Sequence, residues 1–237
     1  MKELFFESID STNTYLKRNY EDLEDLTFVR ADLQTAGKGR NSRKWSSSKG
    51  KNLMFSLLIK DKEVMKAFGS LSVLSAYAVL KVLESYDIEG LSIKWPNDVY
   101  VKDKKICGIL LEGVSKDEME CLIIGIGINV NEDLFEGDFL HEPVSMKQIL
   151  NKDVDLKKFK EKIYGKLIET IDSIRSGADL YEKVIAYDYL LGKRAYCLID
   201  GLRKEVSITG IDADYSLKIS DEGKEKNIFS DEITFHL

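Results

Sequence analysis

The spacing of apolar positions predicts strands and helices that alternate through the first 190 residues. Runs that are rich in apolar residues, at 26–31 and 52–59, are typical of buried strands. Apolar residues at 64, 67, 68, 71, 74, 78 and 82 recur at helical spacing and predict one helix over residues 64–83. Further strands are predicted near residues 91–95, 98–102, 105–114 and 119–130.

The pattern changes in the last third of the chain. One amphipathic helix is marked by Leu156, Phe159, Ile163, Leu167, Ile171 and Ile174. A second is predicted near residues 179–190. After Gly192, short strand-like runs alternate with turns at residues 200–201, 211–214 and 221–223, which favours a small barrel. We therefore expect an α+β fold, with a mixed β-sheet and flanking helices over residues 1–190 and a small β-barrel over residues 191–237.

Two polar segments interrupt this pattern. Ser11 or Thr12 is placed to cap a short helix through Tyr15 and Leu16. Residues 34–51 combine glycine, serine, lysine and arginine with one large apolar residue, Trp45, and this composition predicts a long loop. Its glycines and cations suit a phosphate group, but it is neither a Walker A nor a Rossmann motif. A solvated basic loop is the alternative.

Charge and composition narrow the functional class. The net charge of −6 and a pI near 5.2 disfavour a non-specific nucleic-acid binder. The cysteines, Cys107, Cys121 and Cys197, form no CxxC pair and are typical of reduced thiols. With only His141 and His236, a His/Cys metal cluster is not expected. The N-terminus shows no signal peptide and the chain no long apolar span. These features predict a cytoplasmic enzyme with no DNA or membrane partner.

Four motifs in this order resemble those of the biotin protein ligases, the biotin–acetyl-CoA-carboxylase ligases. They are Ser11-Thr12-Asn13, Gln34 to Arg40 with Arg43-Lys44-Trp45, Lys94-Trp95-Pro96-Asn97-Asp98 with residues 105–108, and Gly125 to Asn129. The resemblance extends from about residue 8 to the C-terminus and is to the single-function type without an N-terminal DNA-binding domain. Two departures are Lys38, where the family often has arginine, and Ser42, where it often has glycine.

The resemblance implies a fold and a reaction. The fold is that of the class II synthetase and biotin–lipoate ligases, followed by an SH3-like barrel. Biotin attacks the α-phosphate of ATP, supplied with Mg²⁺, and gives biotinyl-5′-AMP; a lysine of a biotin carboxyl carrier protein or domain then attacks the adenylate. The metal ligands are not assigned. A homodimer through the strands near 91–102 is one possibility, and a monomer is the other.

The resemblance also assigns residues to roles. The catalytic group comprises Lys105, Arg40 and Asp98. The biotin site comprises Ser11, Thr12, Asn13, Gln34, Gly37, Lys38, Gly39, Arg40 and Lys105. The ATP site comprises Lys38, Arg40, Arg43, Trp45, Lys94 and Asn129. For Trp45 two interpretations stay open: it packs near the adenine, or it anchors the loop.

Three other functions compete with this interpretation. A lipoate or octanoate ligase shares the fold and the adenylation chemistry. A non-catalytic module that binds biotinyl-AMP is disfavoured because both Lys105 and the Gly37-to-Arg40 loop are present. A nucleic-acid-binding regulator is disfavoured by the acidic composition.

Overall fold

The computed structural model describes residues 2–40, 43–137, 139–199 and 202–229. A seven-stranded sheet of order β1-β2-β3-β7-β6-β5-β4 forms its centre. The strands are β1 (Lys2–Phe6), β2 (Thr27–Ala31), β3 (Leu53–Ile59), β4 (Leu91–Lys94), β5 (Asp98–Val101), β6 (Lys104–Ser115) and β7 (Met119–Ile128). β1 and β2 are parallel and the other neighbours antiparallel, so the predicted mixed sheet is confirmed.

The helices cover both faces of this sheet. Within the described residues they are α1 (Thr12–Asn19), α2 (Lys62–Lys66), α3 (Phe68–Glu84), α4 (Met146–Leu150), α5 (Leu156–Arg175) and α6 (Tyr181–Ile185). α3 and α5 bury the larger core against one face, and α1 packs against the opposite face with Leu16 at the centre of a smaller core. Side chains alternate between the two faces along a strand. Because helices cover both faces, β3 is buried along its whole length.

The alternation decides which residues of β7 face each side. Leu122, Ile124, Ile126 and Ile128 pack into the core against α3 and α5. The intervening positions face the α1 side, where Ile123 is followed by Gly125 and Gly127. That side is therefore filled by side chains near α1 and left open farther along the strand.

The C-terminal part forms a separate sheet of order β11-β10-β9-β8. Its antiparallel strands are β8 (Arg194–Ile199), β9 (Leu202–Ile211), β10 (Leu217–Asp221) and β11 (Lys224–Ile228), an arrangement that fits the expected SH3-like unit. The Trp95 indole N–H donates to the carbonyl of Tyr215 at 2.8 Å and joins the two sheets. The boundary near residue 190 stays a prediction.

Several expected elements differ in detail. The helix predicted over 64–83 is two helices, because the chain turns at Ala67 (φ −83°, ψ 19°) before α3 begins. The helix predicted near 179–190 is limited to Tyr181–Ile185. β1 and α4 were not predicted. The turn expected at 200–201, together with Ser42 and His236, lies outside the described residues.

The edge at β4 bears on the possible homodimer. The Ile93 N–H donates to the carbonyl of Tyr187 at 2.7 Å, and its carbonyl accepts from the Tyr189 N–H at 3.0 Å. Part of this edge is thus paired within the chain, and the homodimer stays a prediction. No helix in the described part of the chain is both long and apolar enough to cross a bilayer.

Replacement of Phe28 tests the packing of the larger core. Phe28 is fully buried and stacks on Tyr164 with ring centroids 3.9 Å apart. We expect Phe28→Ala to lower the free energy of unfolding by about 3–5 kcal/mol, since it leaves a cavity. The control is Phe5→Ala on β1: that ring is 48% exposed and stacks under Arg30, so the loss should be at most about 1 kcal/mol. Urea denaturation measures both, and equal losses would contradict this view of the core.

Candidate active site

A cleft of about 480 Å³ lies on the α1 side of the large sheet. Its floor is formed by β6 and β7, where Gly108 lies opposite Gly127 and Leu110 opposite Gly125. Because these glycines have no side chains, space is left above the two strands and the cleft is deeper there. The cleft is within the usual size range for small-molecule sites.

The cleft brings nearly all of the predicted site residues together. Those that line it are Ser11, Thr12, Asn13, Gln34, Lys38, Gly39, Arg40, Arg43, Trp45, Lys94, Asp98, Lys105 and Asn129. The exception is Gly37, which is buried behind the wall. A Cβ at Gly37 would lie 2.5 Å from the Trp45 carbonyl oxygen, so this glycine allows the two arms of the loop to approach closely.

The electrostatic character of the cleft is opposite to that of the whole chain. Its lining cations are Lys38, Arg40, Arg43, Lys44, Lys94 and Lys105. The single carboxylate among the described lining residues is Asp98. In a chain of net charge −6, this concentration of positive charge favours an anionic ligand.

Lys105 is held at the junction of floor and wall. Its Nζ lies 2.8 Å from Oδ1 of Asp98, the first residue of β5. Its backbone pairs with the segment that follows β7: the N–H donates to the Glu142 carbonyl at 2.8 Å, and its carbonyl accepts from the Val144 N–H at 2.9 Å. The Asn129 side-chain amide donates to the Val144 carbonyl at 3.2 Å and braces this pairing. Lys105 is therefore part of a strand pairing, which limits its range of positions.

The basic loop, residues 34–51, folds back on itself over the floor. The Trp45 N–H donates to the Gly37 carbonyl at 3.0 Å, and the Gly39 N–H to that of Arg43 at 2.8 Å. The Trp45 indole lies on the glycine floor, since a Cβ at Gly127 would come within 2.4 Å of it. This contact supports the anchoring interpretation of Trp45.

Arg40 reaches across the cleft to the motif that contains Asp98. Its guanidinium donates to Oδ1 of Asn97 at 3.2 Å. Asn97 is itself held on β6, where its side-chain amide donates to the Ile109 carbonyl at 2.6 Å. The basic loop is thus tied at Arg40 to a residue that the sheet holds in place.

An uncharged polar corner closes the other end of the cleft. Ser11 caps α1, with its hydroxyl accepting from the Thr14 N–H, as predicted for one of the two candidates. Thr12 follows it, and its N–H donates to Oε1 of Gln34 at 2.8 Å. Hydroxyl and amide groups here suit a neutral ligand with its own donors and acceptors.

Buried Lys94 and half-buried His141 form a pair beside Asp98. Nζ of Lys94 lies 3.0 Å from Nε2 of His141. Burial lowers the pKa of Lys94 to about 8, against the opposing effect of Asp98. Burial, followed by the Lys94 charge, lowers the pKa of His141 to about 4. At neutral pH His141 is therefore neutral and accepts a hydrogen bond from Lys94.

Several lining residues were missed in the sequence. Phe135, Phe139, Leu140 and His141 come from the segment after β7, which has neither helical nor strand periodicity. A histidine in such a segment carries no signal of its environment. The segment reaches the cleft because Glu142 and Val144, next to His141, pair with the backbone of Lys105 on β6.

Comparison with known proteins assigns the family. Residues 5–129 match the model of the biotin/lipoate A/B protein ligase family, more than half of the chain. The chain belongs to this family.

Similar proteins include both curated sequences and a solved structure. The bifunctional ligase/repressor BirA of Bacillus spizizenii is 38% identical over 132 residues, 54% of this chain and 41% of that protein. The biotin–[acetyl-CoA-carboxylase] ligase of Paracoccus denitrificans is 34% identical over 130 residues, 51% of each chain. The chain thus spans about half or less of these two relatives. The biotin protein ligase of Aquifex aeolicus, solved with biotin and ATP, superposes with a TM-score of 0.88 at 30% identity over 99% of this chain and 98% of that one.

The titration of His141 tests the geometry of its pair with Lys94. We expect its ring to protonate near pH 4, against an ordinary value of 6.5. The unfolded chain takes up this proton near pH 6.5, so the free energy of unfolding should fall as the pH drops from 6.5 toward 4. Histidine NMR resonances, assigned with His141→Gln, measure the pKa, and denaturation at about pH 7 and about pH 5 measures the linkage. Lys94→Met should raise the pKa of His141; an ordinary value in the parent protein would contradict the pairing.

Proposed function

We propose that the protein is an ATP-dependent ligase that activates biotin as biotinyl-5′-AMP and transfers it to a lysine of a biotin carboxyl carrier protein. The observation that carries this proposal is the division of one cleft into an uncharged polar corner and a cationic region, with Lys105 in the latter. This division matches a substrate with a neutral ring at one end and a carboxylate at the other.

The polar corner suits the ureido ring of biotin. That ring has two N–H donors and one carbonyl acceptor, and Ser11, Thr12 and Gln34 offer hydroxyl and amide partners. We place the ring in this corner and the valeryl chain along the glycine floor. The carboxylate then points toward Lys105.

The cationic region suits the phosphates of ATP. In the first step the carboxylate and the α-phosphate, both negative, must come together. Lys105 offsets this repulsion and stabilises the charge that develops on the phosphoryl oxygens. Asp98 holds the ammonium in position through the 2.8 Å ion pair. Lys38, Arg40 and Arg43 are proposed to bind the phosphates from the loop, and Lys94 from the opposite wall.

The expected Mg²⁺ arrives with the nucleotide. Among the described residues no group of three or more His, Cys, Asp or Glu side chains is placed to hold a metal ion. A magnesium ion bound mainly by phosphate oxygens and water fits a cleft whose one carboxylate, among the lining residues described, is already paired. Its role when bound is to neutralise phosphate charge.

The relatives and the polar corner favour a carboxylase carrier domain as the acceptor and biotin as the substrate. The Paracoccus relative is named as a ligase acting on acetyl-CoA carboxylase, which supports a carboxylase carrier domain as the acceptor. The family model also covers lipoate ligases, and lipoate lacks the ureido ring. The polar corner therefore favours biotin. A non-catalytic biotinyl-AMP-binding module would not need the ordered Lys105–Asp98 pair.

Replacement of Lys105 tests the proposed chemistry. We expect Lys105→Ala to lower biotin-dependent exchange of pyrophosphate into ATP by about 100- to 1,000-fold, because one charge-stabilising donor is lost. The matched control is Lys104→Ala, which removes an exposed lysine that pairs with Glu142 outside the cleft. Exchange in the parent with lipoate but not with biotin would overturn the biotin assignment, and near-normal exchange in Lys105→Ala would remove Lys105 from the mechanism.

Replacement of Arg40 tests retention of the adenylate. Arg40→Gly removes the contact between the basic loop and Asn97. We expect biotinyl-AMP to dissociate faster, while its formation slows less. Released adenylate acylates nearby amines, so unrelated proteins should become biotinylated. Stopped-flow dissociation and streptavidin blots measure the two effects. Lys49→Gly, which alters an exposed lysine paired with Glu7, is the control; an equal off-rate in both variants would contradict a retaining role for Arg40.

A further inference from the structure

A chain of polar contacts runs along the α1 side of the sheet, from Lys17 and Glu112 to the uncharged corner of the cleft. Lys17 Nζ lies 2.6 Å from Oε1 of Glu112, whose Oε2 accepts from the Asn13 side-chain amide at 2.7 Å. Asn13 Oδ1 accepts from the Ser56 hydroxyl at 2.5 Å. The Ser56 oxygen lies 2.6 Å from the hydroxyl of Thr12, which lies 3.1 Å from Oε1 of Gln34. Glu112 is itself outside the cleft lining.

The Glu112 carboxylate fixes which group donates and which accepts in each hydrogen bond of this chain. Hydrogen bonds from Lys17 and Asn13 outweigh burial and lower the pKa of Glu112, so it is ionised and only accepts. Asn13 must therefore turn its N–H group toward Glu112 and its oxygen toward Ser56. The single proton of Ser56 goes to that oxygen.

The orientation of the Ser56 hydroxyl in turn fixes the orientation of the Thr12 hydroxyl, which lines the cleft. Because the Ser56 proton is already used, the 2.6 Å contact with Thr12 is a hydrogen bond only if Thr12 donates. Thr12 has one proton, so its oxygen can only accept at the cleft. Gln34 also faces this point with an oxygen, since Oε1 accepts from the Thr12 backbone N–H.

Two acceptors thus converge on one point of the cleft wall. Thr12 Oγ1 and Gln34 Oε1 lie 3.1 Å apart, and a single N–H donor placed between them satisfies both. We propose that Glu112 is a positioning residue that sets the hydrogen-bond polarity of this corner, so that Thr12 and Gln34 together accept a ring N–H of the substrate. The proposal rests on the proposed function and identifies which atoms of the ureido ring the corner selects.

Packing keeps the Asn13 side chain within this chain of contacts. Asn13 is buried and lies directly on Gly125, where an added Cβ would come within 2.2 Å of its Oδ1. The amide can therefore exchange its two ends, but it has no room to leave the chain. Its end-to-end orientation is set mainly by Glu112 at 2.7 Å, with a weaker contribution from the Leu110 carbonyl, which accepts from the same N–H group at 3.5 Å.

Glu112→Gln should reverse the whole chain. Lys17 then selects the oxygen of the introduced glutamine, whose N–H group faces Asn13. Asn13 turns its oxygen toward that N–H group and its own N–H group toward Ser56. The Ser56 proton moves to Thr12, and the Thr12 proton points at Gln34. Gln34 Oε1 then accepts from both the N–H and the hydroxyl of Thr12, so the pair of acceptors no longer converges on the substrate N–H.

We expect Glu112→Gln to weaken biotin binding about 10- to 100-fold, the usual effect of an unpaired polar group. The KM for ATP and kcat at saturating biotin should change little, because the cationic region is untouched. Calorimetric titration with biotin and pyrophosphate exchange measure these quantities. The matched control is Glu120→Gln, the same replacement at an exposed position of β7.

A double replacement distinguishes polarity from structural support. When Asn13→Asp is combined with Glu112→Gln, the carboxylate moves one step along the chain. The introduced glutamine and Ser56 both donate to the introduced aspartate, Thr12 again donates to Ser56, and the acceptor pair is restored. The double variant should regain most of the biotin affinity, although it still lacks the Lys17–Glu112 ion pair. A purely structural role for that ion pair predicts no recovery.

The ligand offers an independent readout. Carbamate analogues of biotin, in which one ring nitrogen is replaced by oxygen, lack one of the two N–H groups. The parent should bind one of the two isomers much more weakly than biotin, and Glu112→Gln should discriminate less. Unchanged biotin affinity in Glu112→Gln, or no recovery in the double variant, would overturn the proposal. If the parent itself did not bind biotin, the proposed function would fail instead.

Discussion

The site depends on the two-residue alternation of side chains along β6 and β7. One face of both strands must be apolar to cover α3 and α5, and it carries Ile126, Ile128 and Ile109. The other face, on the α1 side, is not needed for the larger core and can carry the residues that form the cleft. Glycines there open the floor, and Glu112, farther along, supports the polar corner. A register shift of one residue would place isoleucines in the cleft and glycines in the core.

The same sheet holds together charges that would otherwise repel. Cations on the loop, on β4 and on β6 converge on one space, and three of them are tied to groups on the rigid wall. Lys105 pairs with Asp98, Arg40 with Asn97, and Lys94 with a neutral His141. The fold tolerates this repulsion because the hydrophobic cores on the two faces, above all the larger one against α3 and α5, supply the stability. An anionic substrate relieves the repulsion when it binds.

The sequence predicted those parts of the molecule that depend on local pattern. Apolar periodicity gave β2, β3, β5, β6, β7 and α5 within a few residues, and motif order brought together the cleft residues. It could not give the turn at Ala67, because no glycine or proline marks it. Nor could it give the environment of His141 or Glu112. The contact of Glu112 with Asn13 joins residues 99 positions apart, and only the register of β6 beside α1 brings them together.

The separation of the charged Glu112 from the substrate has a physical reason. A carboxylate in contact with a neutral ureido ring would have to give up its own hydration, at a cost that one hydrogen bond does not offset. Farther along the same face and outside the cleft lining, Glu112 keeps Lys17 as a partner, and the two side chains retain some exposure, 20% and 34%. Hydroxyl and amide groups have no net charge. Because each has a limited number of protons, the donor and acceptor roles that Glu112 imposes on Asn13 extend through Ser56 to Thr12. The corner can therefore select a donor rather than an acceptor while every group that touches the substrate there stays neutral.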